Sequence, residues 1–422
     1  MPKQYRNSAL RCSFCHKGQK DSPNLKIIAG PKNVYICSDC VQLCLQIIRE
    51  KGGKTSLQWG ENSVPPPTQI KAHLDQYVIG QDSAKRKIAV AVYNHYKRLE
   101  VNAQEKKEGD VEIQKSNLLL IGPTGTGKTL MAQTLAKFID VPFVVADATT
   151  LTEAGYVGED VENIVLQLYK ASNKSIEQTQ RGIVYIDELD KLAKKGASSS
   201  SSRDVSGEGV QQALLKIIEG TTANIQLRGK SHSHNQETIQ IDTSNILFIC
   251  GGSFEGLEKI VESRLGKRSM GFLKKEKKDE IDAERELFAK ATPEDLDKFG
   301  LIPEFIGRLP VIATMQHLDE DSLVRILKEP KNSLVKQYQK LFRFEKVQLE
   351  FTEEALYAIA RKASQRKAGA RGLRTVIESV MLDIMYEMPS QDDLSVVTID
   401  ADTINDKTPP KLTYKDSVGV PS

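Results

Sequence analysis

The chain has 422 residues, nearly three times the ~150 at which single domains cluster, so two or three domains are expected. Hydrophobic residues make up 39% and charged ones 27%, a balance that excludes a wholly disordered or collagen-like chain. With 59 Lys and Arg against 56 Asp and Glu the net charge is only +3, which gives a nucleic-acid partner no support, and no apolar run nears the ~20 residues of a membrane span. Met1 to Leu10 carries no secretory-type apolar stretch either, so a cytoplasmic protein is expected.

From the N-terminus, residues 1–50 read as a small metal-held domain. Four of the six cysteines fall in two pairs, Cys12-x2-Cys15 and Cys37-x2-Cys40, with 21 residues between them. That spacing has the shape of a four-thiolate zinc site with no open coordination position, so the metal is read as structural. About fifty residues bury too little surface to fold well alone, and Zn²⁺ would supply much of the missing stability. Cys44 and His16 are weaker candidate ligands, Cys44 reading better as a packed thiol, and Cys250 as core. Residues 51–68, with Gly52-Gly53 and Pro65-Pro66-Pro67, read as a tether.

Over 69–313 short apolar segments (Leu118–Ile121, Phe143–Ala146, Ile183–Ile186, Ile246–Cys250) alternate with helical patterns at Lys128–Ile139 and Val161–Lys170. Fully apolar strands between helices predict an α/β domain, its parallel sheet covered on both faces. Residues 314–405 turn mostly helical and close on a strand at Val396–Ile399, a second, smaller domain. The tail, 406–422, has Pro409-Pro410 and no periodicity, and Ser198–Ser202 is a low-complexity loop.

The strongest motif is Gly122-Pro123-Thr124-Gly125-Thr126-Gly127-Lys128-Thr129, which fits G-x-x-x-x-G-K-[ST] between a strand and a helix, with Leu130 next in the nucleotide-contacting run. Its glycines let the backbone wrap a phosphate, Lys128 supplies a point charge to the β/γ oxygens, and Thr129 is placed to ligate Mg²⁺. The second motif, Ile183-Val184-Tyr185-Ile186-Asp187-Glu188, ends a buried strand in two carboxylates at the edge where open α/β sheets bind ligands. Asp187 would help hold Mg²⁺ through water and Glu188 would polarise the attacking water, so together the motifs predict hydrolysis of a nucleoside triphosphate, which the resemblance below makes ATP.

With these features in place, the chain resembles the ClpX family of AAA+ protein unfoldases, which feed the ClpP peptidase. The likeness runs from about Leu10 to Asp400 and is most specific at Ala148–Asp160, Arg203–Gln212 and Leu301–Leu309. It implies an AAA+ fold, a homohexamer, and the following roles. Val78 and Ile79 in Tyr77-Val78-Ile79-Gly80-Gln81 would flank adenine. Tyr156 and Val157 in Gly155-Tyr156-Val157-Gly158 would grip unfolded polypeptide in the axial pore, and the Ser-rich stretch into Arg203-Asp204 would form a second pore loop. Arg308 would reach the neighbouring subunit's nucleotide, whereas Arg371 would reach its own. The resemblance also implies tagged protein substrates, and adaptors on the zinc domain. The residue that senses phosphate from the strand Ile246–Cys250 is not placed.

Two stretches depart from the family. Where it often has Arg-Lys-His near the pore entrance this chain reads Arg228-Gly229-Lys230-Ser231-His232-Ser233-His234, and its peptidase-docking Ile-Gly-Phe is here Met270-Gly271-Phe272. A flexible Met can fill an Ile pocket, so docking on a ClpP-type peptidase is still expected. A nucleic-acid-directed motor or clamp loader is the alternative of another class, opposed by the near-neutral charge and the Tyr-Val pair, and a zinc module merely scaffolded by nucleotide is a third, opposed by Glu188.

Overall fold

A computed structural model of the chain describes residues 11–18, 26–31, 34–41, 43–44, 64–102, 111, 113–152, 159–193, 207–227, 237–265, 287–366, 369–391, 393–406 and 408–415. The chain divides into two compact units, Met1–Ser63 and Val64–Ser422. In the first, β1 (Ile27–Ala29) pairs antiparallel with β2 (Tyr35–Cys37), Ile27 opposite Cys37. Its described core is Cys12, Cys37 and Cys40 with Ile27 and Ile36 against them. With so little apolar surface among the described residues, what the cysteines bind is expected to add much of the unit's stability.

The second unit begins at Val64, five residues ahead of the expected start at 69, because Pro67 opens helix α1 (Pro67–Asp75), where a missing N–H costs nothing. Helix α2 (Asp82–Asn102) follows. Next come β3 (Leu118–Ile121), α3 (Lys128–Ile139), β4 (Phe143–Asp147), α4 (Glu162–Ala171) and β5 (Ile183–Asp187). Helix α5 (Gly207–Glu219) leads into the antiparallel hairpin of β6 (Thr222–Leu227) and β7 (Glu237–Asp242), then β8 (Leu247–Gly252). Helices α6 (Leu257–Arg264), α7 (Pro293–Phe299) and α8 (Pro303–Gly307) precede β9 (Val311–Thr314).

The five long-range strands form one parallel sheet in the order β9-β3-β8-β5-β4. Strand alternation sorts the apolar side chains between two cores. Leu119, Ile121, Val184, Ile186, Phe248 and Cys250 face α4 to α8, and Leu118, Leu120, Ile183, Tyr185, Leu247 and Ile249 face α1 to α3. β9 and the hairpin are additions to the strands expected from sequence.

The rest of the unit is the smaller, mostly helical part: α9 (Glu320–Lys328), α10 (Leu334–Phe344), β10 (Gln348–Phe351), α11 (Glu353–Gln365), α12 (Ala370–Glu387), β11 (Leu394–Ile399), α13 (Ala401–Asn405) and β12 (Lys411–Tyr414). It has its own core, centred on Leu327, Phe342, Ile359, Leu373 and Val397. β12 lies in the expected tail, paired antiparallel with β11 although all four of its residues are exposed. Backbone hydrogen bonds, rather than burial, hold it there, which is why no apolar periodicity announces it. Among the described residues no helix is long and apolar enough to cross a membrane.

Candidate nucleotide and metal sites

The Sγ atoms of Cys12, Cys15, Cys37 and Cys40 lie within 4.8 Å of one another. Four thiolates about 2.3 Å from a shared ion would stand a little under 4 Å apart, so this donor set fits tetrahedral zinc. Backbone N–H groups of Phe14 and Cys37 donate to Cys12 Sγ at 3.4 and 3.3 Å, and the N–H of Cys40 to Cys37 Sγ at 3.5 Å. Burial pushes the Cys12 thiol up, but the N–H groups around its sulfur outweigh that and bring it down to about 6, a thiolate ready for a metal. Cys44 stays outside the cluster.

The phosphate loop leaves the C-terminal end of β3. Gly125 (φ 79°) and Gly127 (φ 100°) hold left-handed conformations that the turn into α3 requires. Lys128 is buried and curls back, Nζ donating to the carbonyls of Gly122 and Pro123 at 2.5 and 3.0 Å. Burial pushes its ammonium down to about 8, and the Arg371 guanidinium works in the same direction against the carboxylates of Asp187 and Asp190. An anion in the loop would relieve both effects.

At the tip of β5 the second motif meets the first. Thr129 Oγ1 donates to Asp187 Oδ2 at 3.0 Å, which brings together the two hard oxygen donors a Mg²⁺ site needs. Asp187 Oδ1 accepts from the Tyr185 hydroxyl at 3.1 Å and from the Glu188 N–H at 3.0 Å. Glu188 itself is exposed and left-handed (φ 57°), its carboxylate clear of the buried strand. β8 lies between β3 and β5 and ends in Gly251-Gly252, so that side chains from both neighbours can meet above it. Beyond it, Ser253 gives its N–H and its hydroxyl to Asp190, each at 3.0 Å, so the strand's polar end is engaged by a carboxylate.

Val78 and Ile79 are buried, Val78 beside Gly127 of the phosphate loop. Gln81, missed by sequence reading as more than a box residue, clamps the chain's exit from the sheet. Its amide donates to the Gln316 carbonyl at 2.8 Å and accepts from the Gln316 N–H at 2.7 Å. Gly369 (φ 55°) abuts the loop from the smaller part: a Cβ there would stand 2.7 Å from the Thr124 carbonyl oxygen, and the Ala370 N–H donates to the Gly125 carbonyl at 3.2 Å. Arg371 is the next residue, exposed on the first turn of α12.

Arg308 is elsewhere. It follows α8 and precedes β9, whose Val311 pairs with Leu118, so it sits at the N-terminal edge of the sheet, the end opposite its own phosphate loop. Two buried amides fix that position: Asn117 donates to the Arg308 carbonyl at 3.0 Å, and Gln211 bridges the carbonyls of Leu192 and Gly300 to the N–H of Ile302. The guanidinium bonds Glu219 at 2.8 Å in the open, a contact too weak to lock it. Tyr156, Val157, Arg203, Asp204, the run 228–234, and Met270, Gly271 and Phe272 lie outside the described residues.

Residues 10–50 match the ClpX C4-type zinc finger, 113–312 the AAA domain (Cdc48 subfamily), and 318–399 the C-terminal, D2-small domain, of ClpB protein. The AAA domain makes the chain a nucleotide-binding ATPase, and the match of the first unit agrees with its four clustered sulfurs. A zinc finger particular to one kind of motor, joined in a single chain to an AAA domain and its small companion, places the protein among the ClpX-type AAA+ proteins.

Proposed function

We propose that the protein is an ATP-driven protein unfoldase that works as a homohexamer in the cytoplasm, threads tagged substrates through its pore and delivers them to a ClpP-type peptidase. The observation that carries the reading is the meeting of Thr129 and Asp187 at 3.0 Å beside the Gly-rich loop, with Glu188 next in the chain. In this mechanism the backbone of Gly122–Thr129 cradles the phosphates, and Lys128 leaves its two carbonyl partners for the β/γ oxygens. Val78 and Ile79 seat the base. Mg²⁺, when bound, neutralises charge developing on those oxygens. Thr129 would ligate the ion and Asp187 would help hold it through water, and Glu188 takes the proton of the attacking water.

Arg371 follows Gly369 and Ala370, whose backbone meets the phosphate loop, and serves its own subunit's phosphates. Arg308, at the opposite sheet edge, serves a neighbour's, a role that requires a ring closed by head-to-tail contacts. Tyr156 and Val157 drag polypeptide through the pore, Met270-Gly271-Phe272 docks the peptidase, and the zinc unit recruits adaptors. The test is ATP-dependent loss of fluorescence from a stably folded reporter bearing a degradation tag, with and without a ClpP-type peptidase. Unfolding without the peptidase and fragments with it are expected; ATP hydrolysis stimulated by DNA rather than by unfolded protein would overturn the reading.

A further inference from the structure

The Tyr185 side chain is fully buried, yet it ends in a hydroxyl aimed at the carboxylate that faces the phosphate loop. Tyr185 and Asp187 are two apart on β5 and share the face that packs against α3. The phenol can reach along the sheet because β8 has no side chain at Gly251. A Cβ there would overlap the Tyr185 hydroxyl and stand 2.8 Å from Cζ. Tyrosine and glycine on adjacent strands are thus a matched pair, the one filling the space the other leaves.

The consequence falls on Asp187. A carboxylate held at one oxygen can rotate and trade its oxygens, whereas here the two are assigned. Oδ1 is occupied by the Tyr185 hydroxyl and the Glu188 N–H, and Oδ2 is the oxygen turned to Thr129. We propose that Tyr185, accommodated by Gly251, is a positioning residue that fixes which edge of Asp187 is presented to Mg²⁺, a role that rests on the ATPase reading above. It acts through Asp187, to which its hydroxyl is bonded.

Tyr185→Phe keeps the ring and removes only the hydroxyl. With full-length protein and a fluorescent ADP analogue, binding is titrated against free Mg²⁺, so that no turnover enters the measurement. The expected result is a rise of about tenfold in the Mg²⁺ concentration for half-maximal tightening, with binding in EDTA unchanged. Gly251→Ala should raise the same midpoint, because its methyl displaces the hydroxyl, but should add little on the Tyr185→Phe background. An unchanged midpoint in Tyr185→Phe, an equal loss with and without Mg²⁺, or full additivity of the two changes overturns the assignment. A wild-type protein that fails to bind the analogue at any Mg²⁺ concentration overturns the ATPase reading itself, and the inference with it.

Discussion

Glu188, in its proposed role, should separate binding from chemistry. Because Glu188 is exposed and, as proposed, acts on the attacking water rather than on the phosphates, Glu188→Gln should leave ATP affinity within a few-fold while lowering turnover by roughly 10²- to 10⁴-fold. Filter binding beside a phosphate-release assay checks this, and near-normal turnover would remove Glu188 from its role. His95 makes the opposite kind of prediction, about folding rather than catalysis. It is buried beside Arg98 and Lys115, with Nε2 on the Asn245 carbonyl at 3.1 Å and Nδ1 without a partner. Burial chiefly, with those two cations, pushes its imidazole down to about 3. The unfolded chain therefore takes up a proton as pH falls through 6.5 while the folded chain does not until about 3. Through this one group stability is complete above 6.5 and falls below it, by about 1.4 kcal/mol per pH unit. His95→Gln, which keeps a donor for Asn245 and cannot titrate, should lose less stability than wild type between pH 6.5 and 5 in urea melts. Parallel losses would mean that His95 is not neutral in the fold.

At the scale of elements the zinc unit is the cleanest case. Its described core is three cysteines and two isoleucines, so Cys15→Ser should release zinc and unfold the β1–β2 pair, read by metal content and circular dichroism. Val64–Ser422 is a separate compact unit, and ATP hydrolysis should persist in that variant. Loss of both together would tie the units to each other. Elements whose signal is local were plain in the sequence: the phosphate loop, the apolar β3 and β5, the two cysteine pairs. Those defined by distant partners were not. β9 is four residues after Leu309-Pro310, and its identity comes from pairing with β3 far upstream. The hairpin does alternate, with Ala223 and Ile225 buried in β6 and Ile241 in β7, but the polar residues between them read as loop. Tyr185 looks like one more apolar strand residue until Gly251 is seen beside it, and Gln81 and Gly369 acquire meaning only from the backbone atoms they meet far along the chain.

For the whole molecule, the proposed role of Arg308, placed at the sheet edge away from its own loop, would make assembly part of the chemistry. Arg308→Ala and Glu188→Gln should each be nearly inactive alone. Mixed before assembly, about a quarter of the contacts in a random ring pair an intact Glu188 with an intact Arg308, so the mixture should regain a measurable fraction of wild-type hydrolysis. A mixture no more active than its parts would place the arginine's action within one subunit. The exposed strand β12 bears on how the protein behaves as a particle in solution. It covers β11 on one side, and the outer rim it leaves to water is flanked by Lys411 and Lys415, charges that deter further strand addition. A chain ended at Asp406 would lose none of the described core residues, yet it would bare the hydrogen-bonding rim of β11 to any other chain. Such a truncation should melt near the wild-type temperature but scatter light as its concentration rises, a fault of stickiness rather than of stability.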